Sequence, residues 1–322
     1  MSKEKNSVKF KIRELHYSSK YDSDCQEALR IYRDSTPYDV FTESDQMRHY
    51  MKTPLSDSSN RRIYFFGLYC DAELIGFAEL AYVERTRILV LDYLSFKKQY
   101  KSKNVVCPLL NLILDYLSDL DYSYIIAEVS RRNHGKDMDS DSLFFLEMLA
   151  TDGFYIARAP YYHPILDDNF ESDFKAMLLI KPRSNVKCMR KMTYLEIVKD
   201  IYFTHYLEWY KPFNSDVNVE KRYYKHINDK YKKICYKMSC RFKVKMVEAS
   251  ELSKHAFPIS GMTILAKILA LITSAVVAYL IYCVLINAGI PIEDFTPLLL
   301  GCVAVVSPGI TKVLPYILRD VI

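Results

Sequence analysis

The feature that most constrains this chain is a run of 21 consecutive residues without a charge, residues 268–288. At a helical rise of about 1.5 Å per residue, such a run is roughly 30 Å long and matches one bilayer core. A second uncharged run, residues 295–311, contains helix breakers such as Pro308, which membrane helices tolerate when neighbours satisfy the freed backbone groups. A buried hairpin in a large soluble core is the alternative, but 21 uncharged residues exceed most buried helices. We predict two transmembrane helices, residues 262–288 and 295–318.

The charges that flank the two runs predict their orientation. The connecting loop, residues 289–294, carries only Glu293 and Asp294. Basic residues precede the first run and follow the second: Arg241, Lys243, Lys245, Lys254, Lys312 and Arg319. The positive-inside rule therefore predicts a multi-pass membrane protein with both termini in the cytoplasm. The first eleven residues are polar and charged, without the apolar core of a signal peptide, so we expect the N-terminal part to stay where it is made.

Residues 1–255 have the composition of an ordinary soluble protein. The chain has eight cysteines and no CxxC pair, and Cys235 and Cys240 have no histidine at zinc-ligand spacing. We therefore expect no metal site. Isolated cysteines inside apolar runs suit a reducing compartment, in agreement with the predicted orientation.

Apolar periodicity predicts seven strands and four helices in residues 8–182, in the order β-α-α-β-β-β-α-β-α-β-β. The strands are predicted at residues 8–17, 62–69, 74–83, 87–96, 124–129, 154–158 and 174–180. The helices are predicted at residues 23–33, 43–52, 105–120 and 142–151. Pro108 falls in the first turn of the third helix, where its missing N–H costs little. The expected fold class is α+β, with a mixed central sheet and flanking helices.

This order resembles the GNAT superfamily of acyl-CoA-dependent N-acyltransferases. Residues 67–77 (GLYCDAELIGF) look like the family's β2–β3 hairpin. Residues 94–109 (LSFKKQYKSKNVVCPL) look like its strand-to-helix cofactor segment, and residues 142–155 look like its late helix, which ends in Gly-Phe. The resemblance covers residues 8–182 and implies a GNAT-like acyltransferase domain at residues 1–183, with acetyl-CoA or another acyl-CoA as substrate.

In the cofactor segment of the family, backbone N–H groups at a helix N-terminus hold the CoA diphosphate. Lys101, Asn104 and Val106 occupy the positions where the family has Arg or Gln, Gly, and Gly or Ala. Lys101 keeps the positive charge, and Asn tolerates a left-handed backbone, whereas Val106 puts a branched side chain where close approach is wanted. A solvated charged loop is the alternative for the lysines of residues 97–103. The implied cofactor-binding residues are Leu94, Phe96, Lys101, Ser102, Lys103, Asn104, Val105 and Val106.

The resemblance also implies where the chemistry would occur. A backbone N–H of the fourth strand, near residues 94–96, would polarise the thioester carbonyl, and a carboxylate would take the proton from the amine, often through water. The candidate carboxylates are Asp92 on the fourth strand, Glu128 on the fifth and Glu79 on the third. Each of them also fits an ordinary outward-facing strand carboxylate.

A tyrosine often acts as the general acid in this family, and Leu149 occupies its position here. Three nearby tyrosines are the alternatives: Tyr155, Tyr161 and Tyr162. We expect His163, which precedes Pro164, to be a surface histidine rather than a base.

Residues 184–257 form a connector between the acyltransferase-like domain and the apolar runs. Thr193 and Glu196 match a capping box that opens a helix. Its apolar side is predicted to contain Leu195, Val198, Tyr202, Tyr206 and Trp209. We expect this helix to pack on the soluble domain, with a dimer contact or a position on the membrane surface as alternatives.

The end of the connector is strongly basic. Residues 221–245 contain ten Lys or Arg residues, one acid, Asp229, and interleaved tyrosines. Directly before a predicted membrane helix, such a run indicates a surface for anionic lipid head groups. A solvated helix face and nucleic-acid binding are the alternatives, and the position of the run favours lipid.

Together these features predict a membrane-anchored GNAT-like N-acyltransferase with a helical connector at residues 184–257 and a transmembrane hairpin at residues 258–322. It would transfer an acyl group, such as acetyl, from acyl-CoA to an amine at the cytoplasmic face. The first alternative is a catalytically degenerate sensor or scaffold domain that controls a two-helix membrane effector. A lipid-surface adaptor that acts through the basic run is the second, and a homo-oligomer is left open.

Overall fold

The computed structural model describes eight segments of the chain. They are residues 9–17, 22–36, 42–52, 60–130, 140–164, 176–184, 186–213 and 216–248. Residues 1–254 form one compact unit and residues 255–322 a second. The two predicted membrane helices lie outside the described residues. Within these eight segments, no helix has both the length and the apolar character needed to cross a membrane.

The described elements follow the predicted order. The strands are β1 (Phe10–Glu14), β2 (Arg61–Cys70), β3 (Glu73–Val83), β4 (Ile88–Phe96), β5 (Tyr124–Ser130), β6 (Tyr155–Ala157), β7 (Ala176–Pro182), β8 (Cys188–Arg190) and β9 (Lys243–Val247). The helices are α1 (Asp22–Ser35), α2 (Ser44–Lys52), α3 (Lys103–Tyr116), α4 (Ser140–Thr151), α5 (Lys191–Asp200), α6 (Leu207–Tyr210) and α7 (Val217–Lys237). A π-helical segment, Ile201–Tyr206, joins α5 to α6.

The strands form one mixed sheet in the order β1-β2-β3-β4-β5-β7-β6-β9-β8. Strands β1 to β4 are antiparallel neighbours, β4 and β5 are parallel, and β7 is antiparallel to both β5 and β6. Helix α3 makes the crossover between the two parallel strands, as a parallel pair requires. This is the mixed α+β sheet predicted from the sequence.

The parallel pair β4–β5 separates part-way along its length. The two strands pair only from Ile88 with Tyr124 to Leu91 with Ala127, although both strands continue beyond that point. The register of β3 against β4 shifts so that Asp92 is an extra residue of β4, a β-bulge. Bulges bend a strand and often lie next to active sites. A cleft therefore opens between the ends of β4 and β5.

The connector packs on the rest of the unit. The side predicted to be apolar is buried: Leu195, Val198, Tyr202, Tyr206 and Trp209. Most of it joins a hydrophobic cluster with residues of β3, β4, β5 and β7. This confirms the expectation of a helix packed on the soluble domain. These side chains are therefore not part of a dimer contact or a membrane surface.

Three local expectations were wrong. Helix α5 begins at Lys191, so Thr193 is its third residue rather than a cap, because the pairing of β8 with β9 holds the chain extended up to Arg190. Helix α3 begins at Lys103, which places Pro108 inside the helix rather than in its first turn. The connector is also not purely helical, since β8 and β9 add to the sheet.

Candidate active site

A cavity of about 180 Å³ lies where β4 and β5 separate. All three predicted carboxylates, Glu79, Asp92 and Glu128, line it. They come from β3, the bulge of β4 and the free end of β5, so the separation of the strands brings them to one space. The predicted cofactor residues Leu94 and Phe96 are in the same wall.

Glu79 is the most buried of the three carboxylates, with 1% of the residue exposed. Burial, and next the negative charge of Asp92, raise its pKa well above the ordinary value, while Arg61 opposes this shift. Its Oε2 has no hydrogen-bond partner in the described part of the chain. Glu79 is therefore favoured as a neutral carboxylic acid.

Asp92 contacts a histidine from the connector. Its Oδ2 lies 2.7 Å from His205 Nε2, and the two side chains are 7% and 3% exposed. Both carboxylate oxygens of Asp92 and the Nδ1 atom of His205 have no hydrogen-bond partner among the described residues. This is a buried carboxylate–imidazole pair with unused hydrogen-bonding capacity.

Glu128 forms a second carboxylate–histidine pair. Its Oε2 lies 2.5 Å from His163 Nδ1, and the hydroxyl of Tyr206 donates to Oε1 at 3.3 Å. Burial, followed by the charges of Glu128 and Asp92, raises the pKa of Tyr206 well above its ordinary value, so its hydroxyl stays protonated. The expectation that His163 is a surface residue was wrong, because its side chain is 16% exposed and pairs with Glu128.

The π-helical segment carries His205 and Tyr206 into the cavity wall. The N–H of Leu207 bonds to the carbonyl of Tyr202, five residues earlier, which is the π-helical pattern. Arg61, at the start of β2, donates to the carbonyl of His205 at 2.6 Å. This wider turn lets His205, Tyr206 and, one turn later, Trp209 all line the cavity.

A buried carboxylate anchors the start of the same segment. Asp200 is 1% exposed and pairs with Arg85 from the β3–β4 turn. It also accepts hydrogen bonds from the hydroxyls of Thr86 at 2.7 Å and Thr204 at 3.1 Å. These contacts fix the connector helix to the sheet beside the cleft.

The basic loop before α3 is largely ion-paired. Lys101 lines the cavity and its Nζ lies 2.7 Å from Asp141, while Lys103 lies 3.8 Å from Glu147. Lys97 pairs with Glu73 at 2.9 Å and with Glu27 at 3.2 Å. The loop is therefore neither a fully solvated loop nor a row of unpaired cations.

Val106 points its side chain into the core. Its side chain is fully buried in the core beneath α3, and its N–H bonds to the carbonyl of Ser102 at 2.9 Å. Ser102, Lys103 and Asn104 are exposed at the start of the helix, and the Ser102 side chain makes no cap hydrogen bond. Val105 is half-buried and packs against the same core. Among the described residues, Ser102 to Val106 are at the helix start and are not in the cavity wall.

The cavity wall differs from the expected set of tyrosines. Leu149 lines the cavity, as the resemblance implies, but the tyrosines of its wall are Tyr93 and Tyr206. Within the described part, the three alternatives, Tyr155, Tyr161 and Tyr162, are not in this wall. Sequence reasoning missed Tyr206 and His205 because both follow the segment that resembles acyltransferases. The apolar stripe that contains Tyr206 was the one available signal.

The basic run of the connector has two different sides. Lys230 is buried, and Lys230, Lys233 and Lys237 each hold their Nζ within 6 Å of the Tyr162 ring centroid, at 5.9, 4.8 and 5.2 Å. Other basic residues of the run are exposed: Lys221, Arg222, Lys225, Lys232, Lys243 and Lys245. Tyr236 and Phe242 are exposed as well, at 71% and 88%.

The described residues contain no group of three or more His, Cys, Asp or Glu side chains that could hold a metal ion.

No family model matches the chain, and no curated protein matches it.

Several solved structures are similar to the chain. A protein from Bacteroides thetaiotaomicron assigned to the acetyltransferases of the GNAT family has a TM-score of 0.45 and 12% identity, covering 61% of this chain and 98% of that one. The ribosomal-protein-S18-alanine N-acetyltransferase of Escherichia coli has a TM-score of 0.38 and 16% identity, with 55% and 96% covered. Arabidopsis thaliana NAA60, solved with acetyl-CoA, has a TM-score of 0.38 and 13% identity, with 54% and 99% covered. At 12–16% identity these proteins do not identify functional residues, which follow here from the cleft itself.

Proposed function

We propose that this chain is a GNAT-like N-acyltransferase that transfers an acyl group, such as acetyl, from acyl-CoA to an amine at the cytoplasmic face of a membrane. The observation that carries the proposal is the cavity between the separated strands β4 and β5, which three carboxylates line. It lies at the carboxyl ends of a parallel strand pair, where open sheets that contain parallel strands commonly bind ligands.

The acyl donor would lie along the free end of β4. Beyond Leu91 this strand no longer pairs with β5, so backbone N–H groups near Leu94 and Phe96 can face a thioester carbonyl. The diphosphate of CoA would lie at the N-terminus of α3. The exposed residues Lys103 and Asn104 begin this helix, and its first N–H groups suit an anion.

The acceptor would enter the carboxylate-lined part of the cavity. An ammonium group is attracted by the carboxylates of Asp92 and Glu128, and the amine must lose a proton before it attacks a thioester. Both carboxylates are paired with histidines, so groups that can accept this proton are present. The chemistry of the wall therefore favours a cationic nitrogen nucleophile.

Calorimetry with the full-length protein tests the donor. We expect acetyl-CoA to bind, and we expect acetyl-pantetheine, which lacks the diphosphate, to bind more weakly. Lys103→Glu at the start of α3 should weaken acetyl-CoA binding, because it places a negative charge where the diphosphate would lie. Lys11→Glu on β1 is the matched control, with the same charge change at an exposed site. Absence of acetyl-CoA binding at millimolar concentration would refute the proposed function.

A non-catalytic acyl-CoA sensor is the second candidate, and Leu149 favours it. This side chain lines the cavity and cannot protonate a leaving thiolate. A sensor would bind acetyl-CoA without releasing CoA when amines are supplied. Mass spectrometry of acetyl-CoA incubated with the protein and butylamine separates the candidates, because only an acyltransferase produces N-butylacetamide and free CoA.

The proposed location rests on the two uncharged runs and their flanking charges. The full-length protein should sediment with membranes and resist extraction at alkaline pH, whereas a chain that stops after Lys254 should not resist it. If both chains are extracted equally, the hairpin is not an anchor.

The proposed lipid contact would use the exposed side of α7. We expect the chain that stops after Lys254 to float with vesicles that contain anionic phospholipid and not with neutral vesicles. Lys221→Glu combined with Lys225→Glu should abolish this, because each basic residue near such a surface contributes about 1 kcal/mol. Lys9→Glu, directly before β1, combined with Lys11→Glu on β1 is the matched control, because both residues are exposed. Equal flotation of the two double variants would contradict the contact.

A further inference from the structure

We propose that His163, held by Glu128, is the base that takes the proton from the acceptor amine. The inference rests on the transfer reaction proposed above and names the residue that starts it. The resemblance to acyltransferases implies a carboxylate in this role, whereas here a histidine lies between the carboxylate and the amine. His163 follows β6 along the chain, lines the cavity and contacts Glu128 of β5.

The contact with Glu128 assigns the proton of the imidazole to one nitrogen. Nδ1 of His163 forms a hydrogen bond with Oε2 of Glu128 at 2.5 Å. A carboxylate only accepts hydrogen bonds, so Nδ1 is the donor and the lone pair of the neutral ring is at Nε2. A carboxylate orients the histidine of the Ser-His-Asp triad in the same way and stabilises the imidazolium that forms.

The second nitrogen of the ring is open. Among the described residues, the hydrogen bonds of His163 go to Glu128 through Nδ1, and Nε2 is not one of the buried polar atoms without a partner. Nε2 is therefore accessible, in agreement with a side chain that is 16% exposed. Because His163 lines the cavity, an amine there can reach Nε2 directly or through one water molecule.

The other predicted proton acceptors of the wall are less suited to this step. Both oxygens of Asp92 and Nδ1 of His205 are buried, and Nε2 of His205 lies 2.7 Å from Asp92. Glu79 is favoured as a neutral acid, which cannot take a proton. The two oxygens of Glu128 already accept hydrogen bonds. His163 therefore presents the accessible lone pair of this group.

The connector helps to hold the pair in place. The hydroxyl of Tyr206 donates to Oε1 of Glu128 at 3.3 Å, and its ring meets the His163 ring edge-on, with centroids 5.7 Å apart. Tyr206 is 7% exposed and belongs to the π-helical segment, outside the part that resembles acyltransferases. Tyr206 is thus a positioning residue, which acts on the amine through Glu128 and His163.

In the proposed step, Nε2 of His163 takes one proton from the acceptor ammonium. The freed lone pair of the amine attacks the thioester carbonyl carbon, a C–N bond forms, and the C–S bond breaks. The CoA thiolate leaves with the electron pair of that bond. The nitrogen loses its second proton to the thiolate, and the imidazolium returns its proton to water, so the products are an amide and CoA.

The test uses the full-length protein with His163→Ala. Formation of N-butylacetamide from acetyl-CoA and butylamine is measured by mass spectrometry, and acetyl-CoA affinity is measured by calorimetry. We expect a loss of about 10²- to 10⁴-fold in rate, the usual contribution of a general base, with acetyl-CoA affinity within about twofold of wild type. Glu128→Gln should also be slower than wild type. His16→Ala, at an exposed site, is the matched control and should behave as wild type.

Added imidazole separates a chemical role of His163 from a structural one. It can enter the space that His163→Ala vacates and accept the proton there, so it should restore part of the rate of this variant. It should not restore the rate of Glu128→Gln, in which the histidine ring still fills that space. A loss in His163→Ala that imidazole does not restore would make His163 structural and overturn the inference.

A spectroscopic measurement makes the inference independent of turnover. In long-range ¹H–¹⁵N spectra of histidine-labelled protein, the neutral His163 ring should be protonated at Nδ1, and its signals are those absent from His163→Ala. A neutral ring protonated at Nε2 would overturn the inference. So would acetyl-CoA binding without turnover in wild type, or a His163→Ala rate close to wild type. Failure to bind acetyl-CoA refutes the proposed function instead, and the spectrum still decides which nitrogen of His163 carries the lone pair.

Discussion

Glu79, on β3, illustrates how position alone changes the chemistry of one side chain. It pairs with Tyr93 across β3 and β4 and lies beside the bulge at Asp92. Burial and the negative charge of Asp92 raise the pKa of Glu79, and its Oε2 has no hydrogen-bond partner among the described residues. Glu128, in contrast, makes hydrogen bonds through both of its carboxylate oxygens. The three carboxylates that were equivalent in the sequence are therefore three different groups in the cavity.

Replacing Glu79 by Gln should change how stability depends on pH. Because the folded-state pKa of Glu79 is raised above the ordinary 4.5, the folded protein holds this proton longer than the unfolded chain. Wild-type stability should therefore fall as pH rises above 4.5, by at most about 1.4 kcal/mol per pH unit, until the folded-state pKa is passed. Glu79→Gln lacks this loss, so its melting temperature relative to wild type should increase with pH.

Thermal melts of both proteins between pH 4 and pH 9 measure this difference. Glu84→Gln, in the exposed β3–β4 turn, serves as the control and should melt in parallel with wild type. If the melting temperature of Glu79→Gln changes with pH in the same way as that of wild type, the raised pKa of Glu79 is contradicted.

At the scale of elements, the sequence predicted the regular parts of the fold and not the irregular ones. Runs of aromatic and aliphatic residues in β2, β3 and β4 identified these strands within one residue at each end. The π-helical segment could not be predicted, because apolar spacing of 3.6 residues does not reveal an i→i−5 hydrogen bond. Strands β8 and β9 have three and five residues and pair with distant partners, so no local pattern marks them. His205 was missed for the same reason, since its partner Asp92 is on another element.

The close approach of β3 to β4 depends on Gly76. A Cβ at this position would lie 2.8 Å from the Ser95 carbonyl oxygen and 2.9 Å from the Phe96 ring. Gly76→Ala should therefore displace β4 at the cleft and lower the free energy of unfolding by about 1–3 kcal/mol. It should also weaken acetyl-CoA binding, because Ser95 and Phe96 line the cavity.

Gly67→Ala is the matched comparison for Gly76→Ala. Its Cβ would meet only side-chain atoms, the nearest at 3.0 Å on Leu74, and these can move. Chemical denaturation and calorimetry should show the smaller loss in Gly67→Ala. A larger loss in Gly67→Ala would contradict the assigned contact with β4.

At the scale of the whole molecule, the connector and the acyltransferase-like part form one compact unit, residues 1–254. Tyr194, Tyr202, Tyr223 and Ile227 of the connector are fully buried in the cluster that also contains residues of β3, β4 and β5. The resemblance to acyltransferases therefore ends near residue 183, whereas the packed core continues into the connector.

Two truncated chains test this statement. A chain that stops after residue 183 should aggregate, because it exposes the apolar face that the connector covers. A chain that stops after Lys254 should be soluble and melt in one cooperative transition. Solubility and thermal melting measure the difference, and a soluble, cooperatively melting 1–183 chain would contradict a shared core.

The apolar face beneath the connector also has a consequence for the order of synthesis. A ribosome completes β7 at Pro182, but the connector residues of the cluster that covers this face extend to Met246. At about 5–20 residues per second, the nascent chain carries an uncovered face for roughly 3–13 seconds. Slowing translation between these two codons should lengthen the time during which chaperones are recruited, and speeding it should shorten that time. The connector would then limit the window for misfolding while the chain is still attached to the ribosome.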